Sequence, residues 1–213
     1  MKEEFEKKVY ELLEKLDLKI KLKIVYIKDS YNSLFVESKS EEFILYVDIE
    51  EIYKKRLEFE PFILHELYHI KQFLNKFPII ITNESKFFII QKIITDLYVD
   101  LDLIRDNYYQ EARVLFLHRI NNLKKIVNLD LNFEDIYRIG LLYFEGNNVF
   151  KNECVQIEDN IIKINDKRAK KKIKDIYTII NKHYQEKNNL YEELIKFEDS
   201  KKELLIFDNK III

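Results

Sequence analysis

Apolar side chains recur at helical spacing over residues 3–16, where Phe5, Val9, Leu12, Leu13 and Leu16 form one stripe. The period then shortens to two. Ile20, Leu22, Ile24 and Tyr26 alternate with lysines and Val25 over residues 19–28, and extended runs follow at 33–37 and 43–49. Short polar links at 29–32 and 38–42 suit the turns of an antiparallel meander. Helical spacing returns at 59–77, with Pro61 in the first turn, where a missing N–H costs nothing, and Asn75, Lys76 and Pro78 at the close.

A second long helix is expected at 86–105, and more at 108–128, 133–144, 167–187 and 190–197. Residues 154–164 and 204–213 read as hairpins, because Asp159-Asn160 and Asp208-Asn209 divide two apolar runs in each. The expected class is therefore α+β: a small antiparallel sheet packed on the helix at 59–77, then a mainly helical carboxy-terminal half. Residues 1–128 would form a core of helix, three-stranded sheet and two further helices. Residues 129–213 would form a helical region packed on it.

Composition narrows the function classes. The chain has 213 residues, 47% hydrophobic and 35% charged, which suits a globular core and excludes general disorder. Lys and Arg total 36 against 38 acids, a net charge of -2, so no global field favours nucleic acid or an anionic membrane. The run Lys167-Arg168-Ala169-Lys170-Lys171-Lys172 is flanked by Asp166 and Asp175 and reads as a solvated helix face. One cysteine, Cys154, and no apolar amino-terminal segment lead to the expectation of a cytoplasmic protein without a membrane partner. Nucleic acid is likewise not expected as a partner.

The candidate chemistry lies at His65-Glu66-Leu67-Tyr68-His69, in a chain with only four histidines. Helical spacing puts both imidazoles on one face, where each can offer a ring nitrogen to one ion while Glu66 reaches a metal-activated water. On the helical wheel Glu66 falls near the middle of an apolar sector made by Phe62, Ile63, Leu67, Ile70, Phe73, Leu74 and Phe77. A bare carboxylate there would lose several kcal/mol of hydration, so it needs a cation or a strong donor. The charged Lys71 after Ile70 is the one departure from the usual uncharged flanks of this motif.

A hydrolytic zinc site takes three protein ligands and keeps one position open. The lone cysteine offers no cluster. The best source of a third ligand is the helix at 86–105, where Asp96 and Asp100 stand one turn apart on the face carrying Ile89, Ile90, Ile93, Leu97, Leu101, Leu103 and Ile104. Two acids on an apolar face imply a nearby cation or proton donors.

With the motif helix followed by Asp96-Leu97-Tyr98-Val99-Asp100, residues 26–106 resemble the zincin metallopeptidases. The likeness is to gluzincin-like groups, in outline similar to ImmA/IrrE-like and M48-like peptidases. The resemblance implies zinc held by His65, His69 and Asp96, Glu66 as general base, and Asp100 as the group that orients a metal-binding histidine by hydrogen bonding or as the alternative ligand. Asp96 stands where that family usually has the longer glutamate. The implied activity is hydrolysis of peptide bonds in a peptide or protein substrate, with residues 43–48 as the strand that pairs with it. Tyr98, Tyr108, Tyr109 and His118 are candidates by type for a donor to the oxyanion. His183 reads as a helix-surface residue. The alternative is a zinc-binding regulatory or interaction protein on the same scaffold, without catalysis.

Overall fold

The computed structural model describes residues 1–28, 34–39, 42–54, 58–126, 130–200, 202, 205–207 and 210–212. The polar link at 29–32, the inner part of that at 38–42 and the turn pair Asp208-Asn209 lie outside the described residues. Two compact units make up the chain: Met1–Lys76 with Val99–Leu115, and Phe77–Tyr98 with Phe116–Ile213. Helices α4 (Ser85–Arg105) and α5 (Tyr109–Ile126) contribute residues to both.

In the first unit, α1 (Lys2–Lys15) buries Phe5, Val9, Leu12 and Leu13, the stripe expected from spacing. Three strands follow: β1 (Leu22–Tyr26), β2 (Leu34–Lys39) and β3 (Glu42–Val47), in the order β1-β3-β2. The sheet is mixed, not the expected antiparallel meander. β2 pairs antiparallel with β3, Val36 opposite Leu45, and β1 pairs parallel with β3, Ile24 opposite Leu45. Burial explains the order. Phe43, Ile44, Leu45 and Val47 are all buried, so the most continuously apolar strand takes the centre, while β1 and β2 keep exposed positions. Of residues 43–48, expected as a substrate-pairing edge, 43–47 therefore have strand partners on both sides; β1 and β2 are the edges.

Asp48 then starts a short helix that spacing alone did not suggest, α2 (Ile49–Lys54), by accepting from Glu51 N at 3.1 Å. The motif helix α3 (Phe59–Leu74) buries Pro61, Ile63, Leu64, Leu67, Tyr68 and Ile70. Its face is rotated from the expected sector, leaving Phe73 and Leu74 exposed. The helix stops at Lys76, whose φ of 53° is left-handed. Asp17 and Asn107 close α1 and α4 in the same way.

In the second unit, β4 (Ile79–Ile81), β5 (Leu205–Phe207) and β6 (Lys210–Ile212) form another mixed sheet, order β4-β6-β5, so the hairpin expected at 204–213 gains a third strand. Helix α6 (Phe133–Asn148) begins with a reciprocal capping box between Asn132 and Asp135. Gly140 lets α8 (Lys167–His183) come close, since a Cβ there would lie 2.7 Å from Ile176 Cγ2. The second expected hairpin, 154–164, is instead a helix, α7 (Cys154–Lys163). Ile157, Ile161 and Ile164 are buried at helical spacing, and Asn160 donates to Gln156 O at 2.7 Å rather than turning the chain. The basic run opens α8, where Asp166 caps Arg168 N and Lys172 pairs with Glu198 of α9 (Lys187–Glu198). Among the described residues no helix is long and apolar enough to cross a membrane.

The coarse architecture is thus α+β, a small mixed sheet near the amino terminus followed by a long, mainly helical region.

Candidate metal centre

His65 and His69 stand one turn apart on α3, and their rings meet edge to face with centroids 4.7 Å apart. Their Nε2 atoms converge to 3.1 Å. Asp96 on α4 completes a group: ligand atoms of His65, His69 and Asp96 all lie within 4.8 Å of one another, each residue half-buried. Among the described residues this is the cluster of three such side chains that could hold a metal ion.

The donor set suits zinc both in spacing and in chemistry. Two imidazole nitrogens on one tetrahedral zinc are about 3.3 Å apart, from zinc–nitrogen bonds of about 2.0 to 2.1 Å. The observed 3.1 Å is close to that separation. Two imidazoles and one carboxylate are borderline-soft donors that suit zinc, whereas calcium and magnesium take mostly oxygen. The residues fit.

Asp100 lies on the other side of His65, with Oδ1 3.6 Å from Nδ1 and a side chain only 2% exposed. That is an ion-pair distance for a protonated ring and slightly long for a hydrogen bond. The two acids of α4 therefore face different groups, Asp100 the outer nitrogen of His65 and Asp96 the cluster itself. Asp96 also has a cation beside it that sequence reasoning missed: Arg138 Nη1 of α6 is 3.9 Å from Asp96 Oδ2. The spacing of Glu134 and Arg138, one helical turn, was legible as an ion pair; that it stands against Asp96 was not.

Glu66 is half-buried, as its place on the wheel led us to expect, and its need for a donor is met at least in part by the sheet. Its Oε2 accepts the Val36 N–H at 3.1 Å from edge strand β2. Nothing in the spacing of residues 33–37 pointed to Val36. Lys71, the departure from the motif's usual flanks, also has a structural reason: it donates to Asp106 at 2.6 Å, as does the buried Tyr68 hydroxyl at 2.8 Å. Burial pushes the Asp106 carboxyl up, but the bonds from Lys71 and Tyr68 outweigh it and hold the group below the usual carboxylate range.

Three of the candidate oxyanion donors are engaged elsewhere: Tyr98 donates to Tyr184 O at 2.5 Å, Tyr108 packs against Tyr68 with Lys15 over its ring, and His118 bonds Asn122. Tyr109 is partly exposed.

No family model matches the chain, and no curated protein and no solved structure is significantly similar to it.

Proposed function

We propose that this chain is a zinc-binding protein of regulatory or interaction type, in which His65, His69 and Asp96 hold the ion and Asp100 orients His65 through Nδ1. The observation that carries the reading is the convergence of the two Nε2 atoms and an Asp96 oxygen. The bond from Val36 N–H to Glu66 Oε2 favours the non-catalytic form, since it commits one carboxylate oxygen to holding the edge of the sheet.

Hydrolysis is the second reading, with peptide or protein as substrate and residues 1–128 as the catalytic core. Its support is specific: Glu66 directly follows a candidate ligand and lies in a half-buried place. Bound zinc would lower the pKa of a water and polarise a scissile carbonyl. Glu66 would take the proton from the attacking water through the oxygen not engaged by Val36, then pass it to the leaving amine.

One set of measurements separates the readings. Protein purified without chelator should carry about one zinc per chain, lost in His65→Ala and kept in Glu66→Gln. Absence of metal from wild type after zinc reconstitution would sink both readings. Cleavage of casein or a peptide library by wild type and not by Glu66→Gln would establish the hydrolase; no cleavage with zinc bound supports the binding protein.

A further inference from the structure

Arg138 joins a short ladder of charge. Its Nε and Nη2 donate to Glu134 Oε1 at 2.9 and 2.6 Å, Lys92 Nζ lies 3.8 Å from the same oxygen, and Nη1 is left facing Asp96 at 3.9 Å. Lys92 and Asp96 are one turn apart on α4, as Glu134 and Arg138 are on α6. The 3.9 Å contact is too long for a hydrogen bond, so Arg138 acts on Asp96 through charge without fixing its carboxylate by direction.

Resting on the metal-binding reading above, we infer that Arg138 competes with a divalent cation for the Asp96 carboxylate, and that Glu134 moderates this competition. Arg138 keeps the acid compensated when no ion is bound. An incoming cation must share Asp96 with a charge of its own sign. Only 13% of the Asp96 side chain is exposed, so solvent screens that repulsion incompletely. Glu134, bound by two guanidinium nitrogens, offsets part of the Arg138 charge.

The competition has a sign that packing does not share. If Arg138 only braced α6 against α4, its loss would loosen Asp96 and weaken metal binding or leave it unchanged. If it competes, its loss strengthens binding. At a dielectric constant near that of water, a unit charge about 4–8 Å from a divalent ion changes affinity by about five- to fiftyfold.

The test is titration of the full, chelator-stripped chain with Co2+, read by visible absorption, and with Zn2+ by competition. Arg138→Gln should bind about five- to fiftyfold more tightly, Arg138→Lys should stay near wild type, and Glu134→Gln should bind several-fold more weakly. Asp96→Asn should lose most of the affinity. Wild-type-like or weaker binding by a folded Arg138→Gln, with wild type binding normally, overturns the inference and leaves the metal site standing. Should Arg138→Gln not fold, Glu134→Gln decides alone: weaker binding supports the competition, unchanged or tighter binding overturns it. Failure of wild type to take up either ion removes the metal reading and the inference with it.

Discussion

Each unit carries a three-stranded sheet of the same plan, one strand running parallel to the second strand of a hairpin, and each sheet has an edge closed by a helix side chain. On β4 the closing group is Gln91, whose Oε1 accepts Ile80 N–H at 2.5 Å while Nε2 donates to Pro78 O and to the buried Tyr191 oxygen. On β2 it is Glu66, whose Oε2 accepts Val36 N–H at 3.1 Å. The amide meets both polarities of a strand edge at no cost in charge. A carboxylate can only accept, and pays for losing water as well. A residue chosen just to cover an edge would be Gln in both places, so the charge at Glu66, next to two imidazoles, is what sets the first unit apart.

The units also share a clasp. Tyr68 and Lys71 both donate to Asp106, and Tyr137 and Lys172 both donate to Glu198, with each lysine over its tyrosine ring. In each case burial pushes the phenol pKa up, and the carboxylate partner adds to that push. The clasps are alike while the edge caps differ, and the edge cap that differs is the one next to the candidate metal ligands.

Exchanging the two caps gives the largest expected effect. Gln91→Ala removes an acceptor from Ile80 N–H and donors from Pro78 O and Tyr191, and should cost roughly 2–4 kcal/mol, read from the urea midpoint by circular dichroism. Gln91→Glu should cost about as much, because a carboxylate cannot donate to Pro78 O. Full stability of Gln91→Glu would show that the acceptor alone matters, and the contrast between the two edges would disappear.

Zinc should act more on one sheet edge than on the other, although its candidate ligand Asp96 shares α4 with Gln91. At a free concentration about 100 times its dissociation constant it should stabilise the protein by about 2.7 kcal/mol, and His65→Ala should abolish the effect. Amide hydrogen exchange localises it. Val36 N–H, held by the motif helix, should be slowed more by zinc than Ile80 N–H is. Equal slowing at both would mean that the ion stabilises the chain without distinguishing the two edges.

The clasp of the first unit should show itself in acid. Because the Asp106 carboxyl is held below its ordinary value, its contribution is present above the unfolded pKa of about 4 and is lost as pH falls through the lower folded value. Asp106→Asn should therefore flatten the fall in stability below about pH 4 relative to wild type, measured by urea unfolding across pH. An unchanged acid limb would assign that fall to other carboxylates.

Much of this was legible in the chain. Long periodic segments located α1, α3 and α4 to within a few residues, since a stripe sustained over several turns has one sensible partner, a core. The placement of Glu66 and Asp96 in half-buried positions follows from the same periodicity. Strand order was not legible: alternation says which residues point inward and nothing about whether β1 lies beside β2 or β3. Three-residue β4 carries too few positions to show a period. At residues 154–164 two signals conflicted, and the apolar spacing of Ile157, Ile161 and Ile164 prevailed over the turn-forming Asp159-Asn160 pair. Neither the place of Arg138 beside Asp96 nor that of Val36 beside Glu66 could be read, because each meets its acid through tertiary structure.

The smallest structural effect should come from Glu66→Gln. Its amide oxygen can still accept Val36 N–H, so the edge of β2 stays closed, and the substitution also relieves a half-buried charge; the two changes should leave stability within about 1 kcal/mol of wild type. Glu66→Ala, which leaves Val36 N–H to water or to nothing, should cost about 1–2 kcal/mol more than Gln does. This pair isolates the hydrogen bond from the charge, and the exchange protection of Val36 N–H reads it directly: retained in Gln, lost in Ala. If Gln destabilises as much as Ala, then the negative charge itself holds the sheet to α3, and the argument that Gln would serve as well at this edge no longer stands.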